Sequence, residues 1–155
     1  MDVLVRELMT CDPMTIQDSM PLKVAAELLV QEGLSLLYVV DKDDRLVGVV
    51  SDYELLKIEF AYGDRNQPVS TVMSRSPLTF TPDDGATAAA CIFRDGRYTE
   101  GIVLEDGHPV GQIHRRDVLR MMVATRTNEI DNSHDGEDSA RPQLLKSGVR
   151  QATKV

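Results

Sequence analysis

Residues 22–29, LKVAAELL, put apolar side chains at positions 22, 25, 26 and 29. That spacing predicts a helix with one face turned inward. Asp18 or Ser19 is placed to cap its start, Pro21 suits its first turn, and Gly33 can end it. The pattern then changes period. LLYVVD (36–41) and RLVGVVS (45–51) are dense in branched residues and flank the polar KDD, which predicts a hairpin. YELLKIEFAYG (53–63) returns to helical spacing, with Leu55, Leu56 and Ile58 turned inward. After TPDD (81–84) the succession starts again. Ala86, Ala89, Ala90 and Phe93 mark a helix, and EGIVLEDGHPVGQI (100–113) a hairpin closed at Asp106-Gly107, the strongest short turn signal in the chain. RDVLRMMVATR (116–126) closes with a helix that turns Val118, Leu119 and Met122 inward.

The recurrence is a repeat in sequence as well as in pattern. VRELMTCDPMTI (5–16) meets VSTVMSRSPLTF (69–80) at a shift of 64, matching Val5 with Val69, Met9 with Met73, Pro13 with Pro77 and Thr15 with Thr79. From Tyr38 against Gly101 the shift reads as 63, which puts a one-residue loss in the loop after the first helix of the second copy. The chain is therefore a tandem duplication. Each copy reads strand, helix, strand, strand, helix: an α/β (α+β) unit over 1–65 and another over 66–127. A unit of about 60 residues buries only about 60% of its unfolded surface, so the two are expected to pack as one module. Residues 128–155 have no aromatic residue and no sustained period, and read as a flexible polar tail.

Composition narrows the function classes. With 17 basic and 25 acidic residues the formal net charge is -8, which offers little to a nucleic acid or an anionic bilayer. Cys11, Cys91 and three histidines make no disulfide or zinc spacing, so a reducing cytoplasm is expected and no metal. MDVLVRELMT (1–10) does not read as a signal peptide, and no run approaches a membrane span. A glycine-rich phosphate loop and a nucleophile with its base are both missing from the pattern. No catalytic residue, no catalysis and no required cofactor are expected.

Two copies of Met-x-x-x-Pro-x-Thr, an apolar hairpin ending Gly-x-apolar-polar-x-x-acid, and a closing helix resemble paired cystathionine β-synthase (CBS) domains, the Bateman module. The resemblance covers residues 3–126. It implies two repeats packed with pseudo-twofold symmetry and an adenosine ligand (AMP, ADP, ATP or S-adenosylmethionine) held in clefts that mix the repeats. One cleft would combine Pro13, Thr15 and Leu36 with His114, Arg116 and Asp117; the other would combine Pro77 and Thr79 with Ser51, Tyr53 and Glu54. A carboxylate at a helix start can accept from both ribose hydroxyls, and first-turn amides or an arginine attract phosphate. The chain departs from the family at Glu54, where aspartate is usual, at His114, where serine or threonine is usual, and at Gly101, where proline is frequent. Asp117, the residue usual in the family at this place, and the positive charge of Arg115 and Arg116 beside it favour the first cleft. The resemblance further implies a homodimer through the closing helices, with Leu55, Ile58, Phe60, Met121 and Met122, and a regulated protein partner in trans. The competing reading of Asp117 and Glu54 is that they charge the first turn of a helix, and that of the whole module is a ligand-free scaffold for dimerisation or protein interaction.

Overall fold

The switch between helical and alternating patterns along the chain is reproduced in the computed structural model, which describes residues 2–132. The elements are α1 (Val5–Leu8), β1 (Thr10–Cys11), β2 (Thr15–Gln17), α2 (Leu22–Glu32), β3 (Leu36–Val40), β4 (Leu46–Ser51), α3 (Asp52–Phe60), β5 (Thr79–Phe80), α4 (Ala86–Phe93), β6 (Glu100–Glu105), β7 (His108–His114) and α5 (Arg115–Asn132). They form one sheet in the order β2-β3-β4 and another in the order β1-β7-β6-β5. This is the expected mixed α+β architecture, two β-α-β-β-α repeats. One compact unit, Met1–Met122, holds the first repeat and the second as far as the first half of α5. The inward faces of α2 and α4 are the ones the spacing marks: Leu22, Ala25 and Leu29 are buried in one, and Ala86, Ala89 and Phe93 in the other. At Asp106 and Gly107 φ is +52° and +80°, the doubly left-handed conformation of a two-residue hairpin turn that asparagine, aspartate and glycine tolerate.

The two cores are not made from contiguous copies. Val5, at the head of the first copy, is fully buried among Phe80, Ala89, Phe93, Val103, Ile113 and Val118 of the second. Its counterpart Val69, at the head of the second copy, is fully buried among Ile16, Leu22, Leu37, Val50 and Leu55 of the first. Each burial is worth about 1.5–3 kcal/mol, so each leading segment helps hold the opposite repeat. The backbone repeats the exchange. Leu22 N–H donates to Gln67 O and Val69 N–H to Met20 O; Ala86 N–H donates to Val3 O and Val5 N–H to Asp84 O, all within 3.0 Å. Likewise Thr10 pairs with Gln112, while its counterpart Ser74 pairs with Val49. The result is a pseudo-twofold arrangement.

That exchange explains the grammar of the repeated motifs. A Cβ added to Gly48 would lie 2.7 Å from the Met73 sulfur, and one added to Gly111 would lie 2.4 Å from the Met9 sulfur. The backbone carbonyls of Ser74 and Thr10 would lie nearly as close, at 2.7 and 3.0 Å, so the crossing segment, methionine and backbone together, requires the glycine of the opposite hairpin. Met-x-x-x-Pro and Gly-x-apolar-polar are two halves of one contact.

Several expectations are corrected. The one-residue difference between repeats falls in the hairpin turn, not after the first helix: Tyr38 and Ile102 hold matching places opposite Thr15 and Thr79, and the pairs Val40–Leu46 and Leu104–Pro109 enclose five residues in one turn and four in the other. Asp18 and Ser19 do not cap α2; its first amides donate to the backbone carbonyls of Gln67 and Arg65, supplied by the crossing segment. Leu56, Leu119 and Met122 face out, at 67%, 60% and 49% exposure. α5 runs through Asn132, past the expected boundary at 127, and the rest of the expected tail lies outside the described residues.

Candidate functional site

The hairpin of each repeat ends where a helix begins, so each repeat brings a strand residue, a cap residue and a first-turn acid into one place. Matched by structure, these are Leu36, Ser51 and Glu54 in the first repeat and Glu100, His114 and Asp117 in the second. The two sets behave differently.

Around the first set is a cavity of about 500 Å³. Leu36, Tyr38 and Val49 line it from β3 and β4, and Ser51 and Glu54 from the start of α3; Val72, Ser74, Pro77 and Leu78 enter on the crossing segment, and Arg97, Tyr98 and Glu100 come from the second repeat. Ser51 Oγ accepts from the Glu54 N–H at 3.2 Å, capping α3. Glu54 lines the cavity from the first turn of α3, and its carboxylate pairs with Lys57 at 3.2 Å. An apolar wall, a carboxylate at a helix start and an arginine at the rim can hold a flat heterocycle with hydroxyl and anionic substituents.

The second set is occupied by its own side chains. Asp117 Oδ2 accepts from the His114 N–H at 3.2 Å, its Oδ1 accepts from Arg120 Nη1 at 3.2 Å, and His114 Nδ1 lies 3.6 Å from Oδ2. On its other side His114 Nε2 is 3.2 Å from Glu100 Oε2. Glu100 Oε1 accepts from Gln112 Nε2 at 2.8 Å and from the Tyr38 hydroxyl at 3.3 Å. Glu100 is 8% exposed, the one buried charged residue among the described residues. Burial raises its carboxyl above the ordinary range, against the opposing pull of His114 and its hydrogen-bond donors. Burial, with the adjacent Glu100 charge, also raises the Tyr38 hydroxyl, keeping it a donor.

Placement of the expected residues is mixed. Ser51, Glu54 and Pro77 meet as expected. Thr79 is exposed in β5, where it pairs with Ile102, and Tyr53 lies on the outer face of α3 with Lys57 Nζ 4.9 Å from its ring; neither lines the cavity. Leu36, expected beside Asp117, lines the Glu54 cavity instead, because the register of β3 places it opposite Ser51. Pro13 and Thr15 line a separate cavity of about 440 Å³ with Asp12, Val40, Asp44, His108 and Pro109. His114, Arg116 and Asp117 are not part of its lining. Glu100, Tyr38, Arg97 and Tyr98 were missed; holding the shift at 64 through β3 would have set Glu100 against Leu36. Cys11 and Cys91 are free and exposed, and among the described residues no His, Cys, Asp and Glu cluster could hold a metal ion.

The family model described as CBS domain matches residues 5–60 and 69–124. Among solved structures, that of CBSX2 in complex with AMP is 29% identical, has a TM-score of 0.68, and covers 79% of this chain and 98% of its own. The CBS-pair protein CBSX2 from Arabidopsis thaliana is 26% identical with a TM-score of 0.73, covering 82% and 99%. Among curated proteins, the A-adding tRNA nucleotidyltransferase of Aquifex aeolicus is 29% identical over 116 residues, 75% of this chain and 14% of its own length. The chain spans 14% to 34% of the length of the first three curated relatives it matches.

Proposed function

This chain belongs to the CBS-domain family, and from that premise we propose that it is a regulatory module that binds an adenosine-containing ligand in the Leu36–Ser51–Glu54 cavity and passes its occupancy to a protein partner in trans. The observation that carries this reading is the cavity itself, with Leu36, Val49, Val72 and Leu78 on its apolar side, polar and charged side chains opposite them, and both repeats contributing to its lining. The AMP carried by CBSX2 supports the ligand class. In this reading Leu36, Val49, Val72 and Pro77 cover the base, the Glu54 carboxylate accepts from the ribose hydroxyls, and Arg97 at the rim draws the phosphate. No cofactor and no catalytic step is assigned to the module, and Asp117 is given a structural role at the head of α5.

Assembly supplies the output. Leu56 and Phe60 on α3, with Leu119 and Met122 on α5, are exposed, and apolar faces of this kind pair around a twofold axis; we assign them to a homodimer. No helix among the described residues is long and apolar enough to cross a membrane, and the proposed site of action is the cytoplasm.

Thermal melting of the full chain with AMP, ADP, ATP and S-adenosylmethionine tests the ligand reading. A ligand selective for the folded state at 100 times its Kd adds about 2.7 kcal/mol, and the preferred member of the panel should reach that shift. A panel that moves nothing leaves the scaffold reading in its place.

A further inference from the structure

We propose that Glu100 and His114 form a proton-operated charge switch on the wall of the ligand cavity, so that the module responds to pH as well as to its ligand. The ligand part of this inference rests on the reading above; the switch itself does not.

Glu100 belongs to both halves of the molecule's polar centre. Its residue lines the Leu36–Glu54 cavity, and its carboxylate is one of the two that hold the His114 ring. The groups around the pair are few. Tyr38 of β3 and Gln112 of β7 give neutral hydrogen bonds to Glu100. From α5, Asp117 faces the other ring nitrogen, Arg120 is bound to Asp117, and Arg116 acts on Glu100 only through its charge. On the far side of the cavity Glu54 of α3 adds a negative charge and Arg97 a positive one at the rim. Arg115 adds a positive charge beside the cavity-lining Tyr98, its guanidinium donating to Tyr98 O at 3.4 Å. Among the described residues, His114 is therefore the group that brings a full positive charge into contact with Glu100.

With the ring protonated, Nε2–H donates to Glu100 and Nδ1–H faces Asp117, so one cation sits between two carboxylates. With the ring neutral, one N–H remains for two carboxylates, and the net charge of the three groups falls from -1 to -2. The buried Glu100 then presents an uncompensated charge to whatever occupies the cavity. A phosphorylated ligand is repelled, and an uncharged nucleoside is not. Affinity for the phosphorylated ligand should fall as pH rises and the ring gives up its proton. Stability follows the same direction. A carboxyl raised by burial contributes stability that is present at low pH and lost as pH rises through its folded value, and loss of the imidazolium adds to that loss.

The experiment is calorimetric titration of the full chain and of its Glu100→Gln and His114→Gln variants with AMP and with adenosine, from about pH 5.5 to about pH 8.5, alongside ligand-free melting over the same range. The parent's affinity for AMP should fall roughly 10-fold more across the range than that of Glu100→Gln, and its affinity for adenosine should hold nearly level. The second ionisation of AMP, near pH 6, is common to all three proteins and cancels between them. His114→Gln should match the parent's AMP affinity at high pH and, as pH falls, show only the change that AMP's own ionisation imposes on all three proteins. Without ligand, the parent should lose melting temperature as pH rises while Glu100→Gln stays flatter. Parallel pH profiles for parent and Glu100→Gln, in melting and in AMP binding, overturn the switch. If neither AMP nor adenosine binds at any pH, the proposed ligand reading falls by itself, and the melting profiles alone decide: diverging profiles uphold the switch, and parallel ones remove it.

Discussion

Leu36, Ser51 and Glu54 occupy the same backbone places as Glu100, His114 and Asp117, yet one set opens onto a cavity and the other is closed on itself. The difference begins at the helix caps. A full capping box has the cap side chain accepting from the third helical amide and the third side chain accepting from the cap amide. Here the two halves are divided between the repeats: Ser51 Oγ accepts from the Glu54 amide, and the Asp117 carboxylate accepts from the His114 amide. The short aspartate is bound to the backbone, whereas the longer glutamate, whose helix is already capped by Ser51, has a carboxylate with no backbone to cap and pairs with the half-exposed Lys57. Where the first repeat places Leu36 on its strand the second places Glu100, and with it an internal ion-pair network.

The most damaging way to break the comparison is to convert the open cleft toward the closed one. Leu36→Glu puts a carboxylate beside Ser51 and Glu54, where the partners that Gln112 and His114 give to Glu100 are replaced by Val49 and Ser51. An unpaired charge there should cost about 1–3 kcal/mol of stability and weaken nucleotide binding by more than about 100-fold. Adding Val49→Gln and Ser51→His should recover most of the stability and none of the binding. Melting curves and titration of the single and triple variants separate the two effects; recovery of binding in the triple variant would falsify the equivalence of the sets.

How far the sequence discloses this arrangement follows from what local pattern can carry. The helix faces of α2 and α4, the Asp106-Gly107 turn and the duplication itself are local or repeated signals, and they are legible. The exchange of Val5 and Val69 between cores is not, because the same amphipathic segment satisfies a core from either repeat and only long-range pairing chooses. The register of β3 against β6 was misread for a related reason. Matching Tyr38 to Gly101 spares a gap in the strand, whereas the hairpin turn absorbs the missing residue at less cost to the ladder, and this single slip hid Glu100 as the counterpart of Leu36. Leu56, Leu119 and Met122 fit helical spacing yet remain exposed, since periodicity marks an apolar face without saying whether this chain or another covers it. The acids were legible as ligand or cap, and only the hydrogen bonds divide those roles between Glu54 and Asp117.

A smaller effect sharpens the role of the open cleft. Glu54→Ala should remove the charged acceptor proposed for the ribose, worth roughly 1.5–3 kcal/mol, and weaken AMP by about 10-fold to 150-fold. Glu54→Gln, which keeps the shape and a neutral acceptor, should fall between the parent and Glu54→Ala. Melting temperature without ligand should change little, because the lost ion pair with Lys57 is half exposed. Equal affinities for all three proteins would remove Glu54 from the site.

The smallest change tests the closed cleft, and its sign is the opposite. Asp117→Ala deletes the acceptor for the His114 amide and the partner of Arg120, a helix-start interaction worth about 1 kcal/mol, or roughly 4 °C in melting temperature. The same deletion leaves His114 with Glu100 as its one carboxylate contact, so the ion pair on the cavity wall persists. AMP affinity should therefore stay within about twofold of the parent, as expected for a change outside the ligand's contacts. Run beside Glu54→Ala, the two variants give crossed outcomes: one loses binding and keeps its melting temperature, the other loses melting temperature and keeps binding. If Asp117→Ala instead loses AMP while Glu54→Ala retains it, the ligand lies on the α5 side, and the hydrogen bond from the His114 amide must give way when it binds.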